Sequence, residues 1–285
     1  MPKQPLVLKT VAELRAWRKS LDRFTIGFVP TMGALHAGHL SLVQKSKASC
    51  DRTLVSIFVN PTQFGPAEDF AKYPRTLESD LALLQESAVD AVFSPGVSEI
   101  YPEGSSTFVV EEMVSASLCG EVRPGHFRGV ATVVLKLLNL VQPSVAYFGQ
   151  KDGQQCAVIE RMVRDLNVPV RIVRGETVRE KDGLALSSRN VYLSESERVC
   201  APQIYLSMKE AERAFLEGER DAQKLMRIGR GFLEREPQIK IQYWEIRDVQ
   251  TLESLSKLED RGALIAVAAV LGKTRLIDNL EFEKI

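Results

Sequence analysis

Thr25-Ile-Gly-Phe-Val-Pro-Thr-Met-Gly-Ala-Leu-His-Ala-Gly-His-Leu-Ser-Leu-Val43 is the stretch from which the fold can be read. Phe24, Ile26, Phe28 and Val29 make a short apolar run with the signature of a buried strand. Pro30 and Gly33 break it, and Leu40, Val43 and Ala48 then share one helical face, so a helix opens close to His39. A strand, a glycine-bearing turn and a helix start form an anion site, because free N–H groups and the positive dipole end face the turn. The stretch holds two of the chain's 3 histidines. Placed three apart, His36 and His39 lie on one side of the helix start and can grip a phosphate chain together. Gly38 leaves room for a flat group, such as a nucleotide base, to approach the backbone. Metal ligation by the two histidines needs third and fourth ligands at workable spacing, which are absent nearby. Neither H-E-x-x-H nor a Walker A sequence occurs.

Outward from this stretch, apolar patterns alternate between strand and helix. Strands are expected at 54–59, 90–93, 145–148 and 168–173, with helices around 77–88, 130–141 and 158–166. This alternation implies an α/β fold: a parallel sheet with helices on both faces and ligands at the carboxyl ends of its strands. Past Gly175 the texture changes to two amphipathic stretches, Glu195–Leu216 and Asp221–Glu234, then to strand patterns at 239–246 and 263–271. The expected domains are 1–175 and a smaller α+β unit, 176–285. Gly229-Arg-Gly231 lacks the third glycine of a dinucleotide fingerprint and sits in a helical pattern.

A length of 285 residues favours about two domains, and 45% hydrophobic with 26% charged residues fits an ordinary soluble protein. Basic and acidic residues balance at 37 each, so no overall field draws the chain to nucleic acid or to an anionic membrane. Cys50, Cys119, Cys156 and Cys200 are scattered without C-x-x-C, as expected for reduced packing residues. The amino terminus lacks a signal-peptide core, and the apolar run from Ala263 to Leu271 is too short to span a bilayer. The expected location is the cytoplasm.

Four further stretches fall where strands end or domains join. In Phe58-Val-Asn-Pro-Thr-Gln-Phe64, Asn60 and Gln63 offer neutral donors and acceptors suited to a small hydroxylated carboxylate, although an ordinary Asn-Pro turn reads the same. Within Phe148-Gly-Gln-Lys-Asp-Gly-Gln-Gln155, Lys151 sits where a phosphate would lie; Asp152 suits a helix cap or a ribose hydroxyl. Asp182-Gly-Leu-Ala-Leu-Ser-Ser-Arg-Asn190 sets two hydroxyls and a guanidinium in succession, as terminal phosphates or a polar connecting loop would require. Arg123-Pro-Gly-His-Phe-Arg-Gly-Val130 carries His126, which suits packing or capping equally.

The pattern His36-Ala37-Gly38-His39 resembles the signature of the adenylate-forming nucleotidyltransferase superfamily. With the four stretches above, Tyr73-Pro-Arg75 and the order of all these blocks, the whole chain resembles the pantothenate synthetase (pantoate–β-alanine ligase) family. The resemblance implies a Rossmann-like amino-terminal domain, a mobile carboxy-terminal lid and a homodimer without nucleic-acid or membrane partners. It assigns ATP to Met32, Gly33, Ala34, Leu35, His36, Ala37, Gly38 and His39, to Gly149, Gln150, Lys151 and Asp152, and to Val178, Leu186, Ser187, Ser188 and Arg189. Pantoate would meet Gln63 and Gln155, with Asn60 beside them and β-alanine bordering Gln63. His39 would be the proton donor, and His36, Lys151 and Arg189 would stabilise charge. Mg²⁺ would accompany ATP, with its protein ligands unassigned; Asp80, in a helix's first turn, suits a carboxylate supporting the metal at one remove or, more simply, favours the helix dipole. Gln150 departs from the glutamate usual in the family and Leu186 from the usual methionine, which touches the surroundings of the adenine and ribose. The implied reaction forms pantoyl adenylate, then pantothenate, AMP and pyrophosphate. A nucleotidylyltransferase acting on a phosphorylated acceptor would want extra cations where Gln63 and Gln155 stand. A non-catalytic ATP sensor would not need Lys151 and Arg189 beside both histidines.

Overall fold

The computed structural model describes residues 4–66, 68–258 and 262–282. Among them, β1 (Leu6–Leu8), β2 (Ile26–Thr31), β3 (Arg52–Ile57), β4 (Ala91–Phe93), β5 (Val145–Gly149) and β6 (Arg171–Gly175) form one parallel sheet. Its order is β1-β4-β3-β2-β5-β6. Strand alternation sends Ile26, Phe28, Leu54, Phe93 and Phe148 into one core, and Val29, Val55, Ile57, Val92 and Tyr147 into the other. Helix His126–Val141 covers the first face with ten buried residues, and helix Ala37–Ser49 lies on the second. Apolar side chains on both faces are what a strand buried on both sides requires. From β2 the chain builds outward through β3 and β4, then crosses back to place β5 on the other side of β2. The crevice at this reversal, outside the carboxyl ends of β2 and β5, is where such sheets bind ligands.

The second sheet, β7 (Ile239–Asp248), β8 (Ala263–Leu271) and β9 (Thr274–Phe282), is antiparallel. One face packs Trp244, Ile265 and Val267 against helices Gln203–Leu216 and Ala222–Leu233. Its other face turns Tyr243, Leu264, Ala266 and Ala268 toward the first core. Gly229 is explained here: a Cβ would stand 2.0 Å from the Trp244 ring, so the glycine serves packing. The stretch 195–216 is two helices, Glu195–Cys200 and Gln203–Leu216, because Pro202 has no amide hydrogen to continue the first. Strands β1 and β9 and the helix Val11–Lys19 extend the elements expected from sequence.

Candidate active site

Above β2 and β5 opens a cavity of about 1160 Å³. Its floor is built from the turn after β2. Thr31 donates through Oγ1 to the Ser56 carbonyl at 2.7 Å and accepts the Gly33 N–H at 3.1 Å. Gly33 (φ 82°) and Ala34 (φ 51°) then take left-handed conformations that reverse the chain. The buried Asp80 carboxylate accepts the amides of Ala34 (3.0 Å) and Leu35 (2.8 Å) and a hydroxyl bond from Thr76. Asp80 therefore clamps the turn, a stronger role than favouring its own helix dipole.

His36 is the N-cap of helix Ala37–Ser49, its Nδ1 accepting the Gly38 N–H at 3.2 Å. His39 answers from the third helical position, its Nδ1 accepting the His36 N–H at 3.3 Å. The two rings lie 4.1 Å apart between centroids. Because each Nδ1 accepts from the backbone, the ring proton of each neutral imidazole resides on Nε2. Burial, and then His36, pushes His39 down to about 3; burial and Lys151 lower His36. Both rings are thus neutral Nε2–H donors at pH 7. The sequence reading of free turn amides needs correcting: Asp80 holds those of Ala34 and Leu35, and the imidazoles hold those of His36 and Gly38. The space at Gly38 also belongs to His36, whose Cε1 would lie 2.9 Å from an added Cβ.

Across the crevice, Lys151 follows β5 with its Nζ 3.6 Å from Asp152. Asn279 of β9 straps this turn by donating to the carbonyls of Gln150 (2.8 Å) and Lys151 (2.7 Å). Ser187 caps the Arg189 amide, and the Arg189 guanidinium makes a two-pronged bond to Asp69 at 3.1 and 3.0 Å. On the remaining wall, Gln63 accepts from Asn60 at 3.0 Å and lies against the Met32 sulfur. His126 Nδ1 donates to the Gln63 carbonyl at 2.9 Å while its Nε2 accepts from Arg123 at 3.0 Å. Burial and Arg123 push this ring down to about 4, so it too is neutral. Arg123 is fixed in turn by both oxygens of Glu68.

The family model for pantoate-beta-alanine ligase matches residues 6–281. The chain is 54% identical over 275 residues to the pantothenate synthetase of Thermotoga neapolitana, covering 96% of this chain and 98% of that one. The crystal structure of pantothenate synthetase from Thermus thermophilus superposes with a TM-score of 0.91 at 49% identity, covering 96% and 98%. Pantoate-beta-alanine ligase from Francisella tularensis, solved with beta-gamma ATP and β-alanine, does so at 0.79 and 36%, covering 97% of each chain. This chain belongs to the pantoate–β-alanine ligase family. It is an enzyme of pantothenate formation, and its six-stranded Rossmann-like sheet with a small antiparallel carboxy-terminal unit matches those structures.

In this ligase the cavity brings together most of the residues singled out from sequence: Met32, His36, Gly38, His39, Gln63, Gly149, Lys151, Asp152, Gln155, Val178, Leu186, Ser187, Ser188 and Arg189. Gly33, Ala34, Leu35 and Ala37 do not line the cavity; Gly33 and Ala34 shape the turn, and Ala37 is exposed at the helix start. Gln150 is a correction. Its side chain leaves the cavity to donate to Asn279 (3.2 Å) and Glu281 (2.6 Å) and to accept from Arg174 (3.4 Å). Asn60 also lines the cavity, with its carboxamide donating to Gln63 and Gly129 and accepting from Tyr101 and Thr62. By contrast, the Gln155 carboxamide has no partner among the described residues. Asp69 and Asn279 went unnoticed in the sequence, and Asp80 was noticed without its partners, since acidic and amide residues at such spacing carry no sign of distant contacts.

Proposed function

We propose that the ligase joins pantoate to β-alanine using ATP, through an enzyme-bound pantoyl adenylate, and releases AMP and pyrophosphate. One observation carries the reading: two neutral Nε2–H imidazoles, Lys151 and the Ser187–Arg189 run converge on the cavity that also holds Gln63 and Gln155. Charged and neutral donors together suit a polyphosphate, whereas the two carboxamides and the apolar Phe58, Val130 and Leu137 suit a small branched hydroxy acid. A pantoate carboxylate oxygen attacks the α-phosphorus as its bond to pyrophosphate breaks. The deprotonated β-alanine amine then attacks the acyl carbon, and AMP leaves with the electron pair of the acyl–oxygen bond. In this reading the imidazoles donate to phosphate oxygens without first being charged, and His39 donates to the reacting phosphate. Catalysis rests on positioning and charge stabilisation.

Among the described residues there is no group of three or more His, Cys, Asp or Glu side chains set to hold a metal. This donor set fits Mg²⁺ carried on the nucleotide and bound mostly through phosphate oxygens and water, where it would neutralise phosphate charge. The domains 1–175 and 176–285, closure of the second as a lid, a homodimer and a cytoplasmic location belong to the same proposal. Exposed Phe108, Val110 and Met113 give the dimer an apolar surface, which sedimentation tests.

Labelled pyrophosphate should exchange into ATP with pantoate present and β-alanine absent. Exchange that needed β-alanine would refute the two-step order. Exchange supported by a phosphorylated acceptor and not by pantoate would favour nucleotidylyl transfer.

A further inference from the structure

We propose that Asp69 sets the affinity for ATP by occupying the Arg189 fork until phosphate replaces it. The inference rests on the reading that Arg189 meets phosphate. Arg189 spends Nε and Nη2, one edge of its guanidinium, on the two oxygens of Asp69 at 3.1 and 3.0 Å. A phosphate bound side-on takes that same edge, and one bound end-on still needs Nη2, so carboxylate and phosphate compete for the fork. The contact is part of a seam. Ser188 Oγ lies 3.2 Å from Tyr73 Oη, Arg189 stands over the Tyr73 ring, and Tyr192 donates to the Lys72 carbonyl at 3.1 Å. Two residues of the Ser187–Arg189 run, Ser188 and Arg189, are therefore engaged by the 69–73 segment, and Asp69, Tyr73, Ser188 and Arg189 line the same cavity.

The exchange has a direction. Asp69 offers one negative charge, whereas a nucleotide triphosphate offers several and gains Lys151 and both imidazoles at once. A singly charged carboxylate such as pantoate or β-alanine lacks that advantage and leaves the pair closed. The pair thus discriminates for polyphosphate, and ATP binding releases the 69–73 segment from Arg189. A binding site blocked for most of the time shows an apparent affinity reduced by the fraction that is open.

Calorimetric binding of α,β-methylene-ATP to the parent, Asp69→Asn, Arg189→Ala and the double variant tests this. Asp69→Asn should bind about three- to tenfold more tightly than the parent. Arg189→Ala should bind about tenfold or more weakly, and adding Asp69→Asn to it should change nothing further. Unchanged or weaker binding by Asp69→Asn, with Arg189→Ala still weakened, overturns the exchange and leaves the phosphate role of Arg189 standing. A gain that persists without Arg189 also overturns it, because that gain would be the general effect of removing a negative charge. Parent-like binding by Arg189→Ala would remove both this proposal and that phosphate role. Asp69→Ser, which cannot offer a two-oxygen fork, repeats the test if the amide variant is unstable.

Discussion

The imidazole of His39 is only partly exposed, and it holds the His36 amide besides facing the cavity. His39→Ala should therefore lower turnover by about 10²–10³, as removal of a donor to developing charge does. It should also lower stability by about 1–3 kcal/mol, because the His36 N–H loses its acceptor. Turnover near the parent's, with a folded variant, would contradict the donor role. Acid unfolding gives a separate check. Burial holds His39 at about 3 and His126 at about 4, against an ordinary 6.5, so the fold favours their neutral forms. Their contribution is complete above about pH 6.5 and is lost as pH falls toward 4 for His126 and toward 3 for His39, with a slope of about 1.4 kcal/mol per unit for each ring. Denaturant titrations at several pH values should show His126→Asn with a shallower loss than the parent; parallel profiles would show that this ring is not held neutral. Gln150 carries a third expectation. It stands 2.6 Å from Glu281, so Gln150→Glu sets two carboxylates together beside Arg174. A loss of about 1 kcal/mol at neutral pH is expected, with the ATP requirement little changed, because position 150 points away from the cavity.

At the scale of elements, β2, its turn and the following helix work as one device. Asp80 lies on helix Leu77–Glu86, far along the chain, yet it fixes Ala34 and Leu35 and through them the start of the histidine helix. Asp80→Asn keeps the shape but offers one acceptor oxygen to two amides. Stability should fall by about 1–3 kcal/mol, and turnover should fall with it as the two rings lose their register; thermal melting and steady-state rates check this, and a stable variant of normal rate would deny Asp80 the clamp. Strand β2 and helices 126–141 and 153–165 were legible because their apolar periods are long and undisturbed. Strand β9 was not: Asp278 and Asn279 interrupt its pattern, and both are buried because Arg179 and the Gln150–Lys151 turn satisfy them. Strand β7 was legible at 239–246, but the bulge between Ile241 and Tyr243 that shifts its alternation midway was not.

Over the whole molecule, polar ties beside the cavity join the second sheet to the first unit, among them Arg174 and Gln150 to Glu281, and Asn279 to the Gln150 and Lys151 carbonyls. An ATP analogue that draws the 176–285 unit inward should protect residues 182–190 from hydrogen exchange. Unchanged exchange at saturation would remove closure from the scheme. The sequence by itself determined the α/β alternation, the strand–turn–helix around His36 and His39, and the blocks from which the ligase family was identified. These signals are local: apolar period, turn residues and short motifs depend on neighbours along the chain. Only the tertiary structure decided that Asp80 occupies the turn amides, that the Gln150 side chain turns to Asn279 and Glu281, and that Asp69 holds Arg189. Hydrogen-bond partners are chosen by proximity in space, and a carboxylate at position 69 or 80 reads alike until the fold brings its partner within about 3 Å.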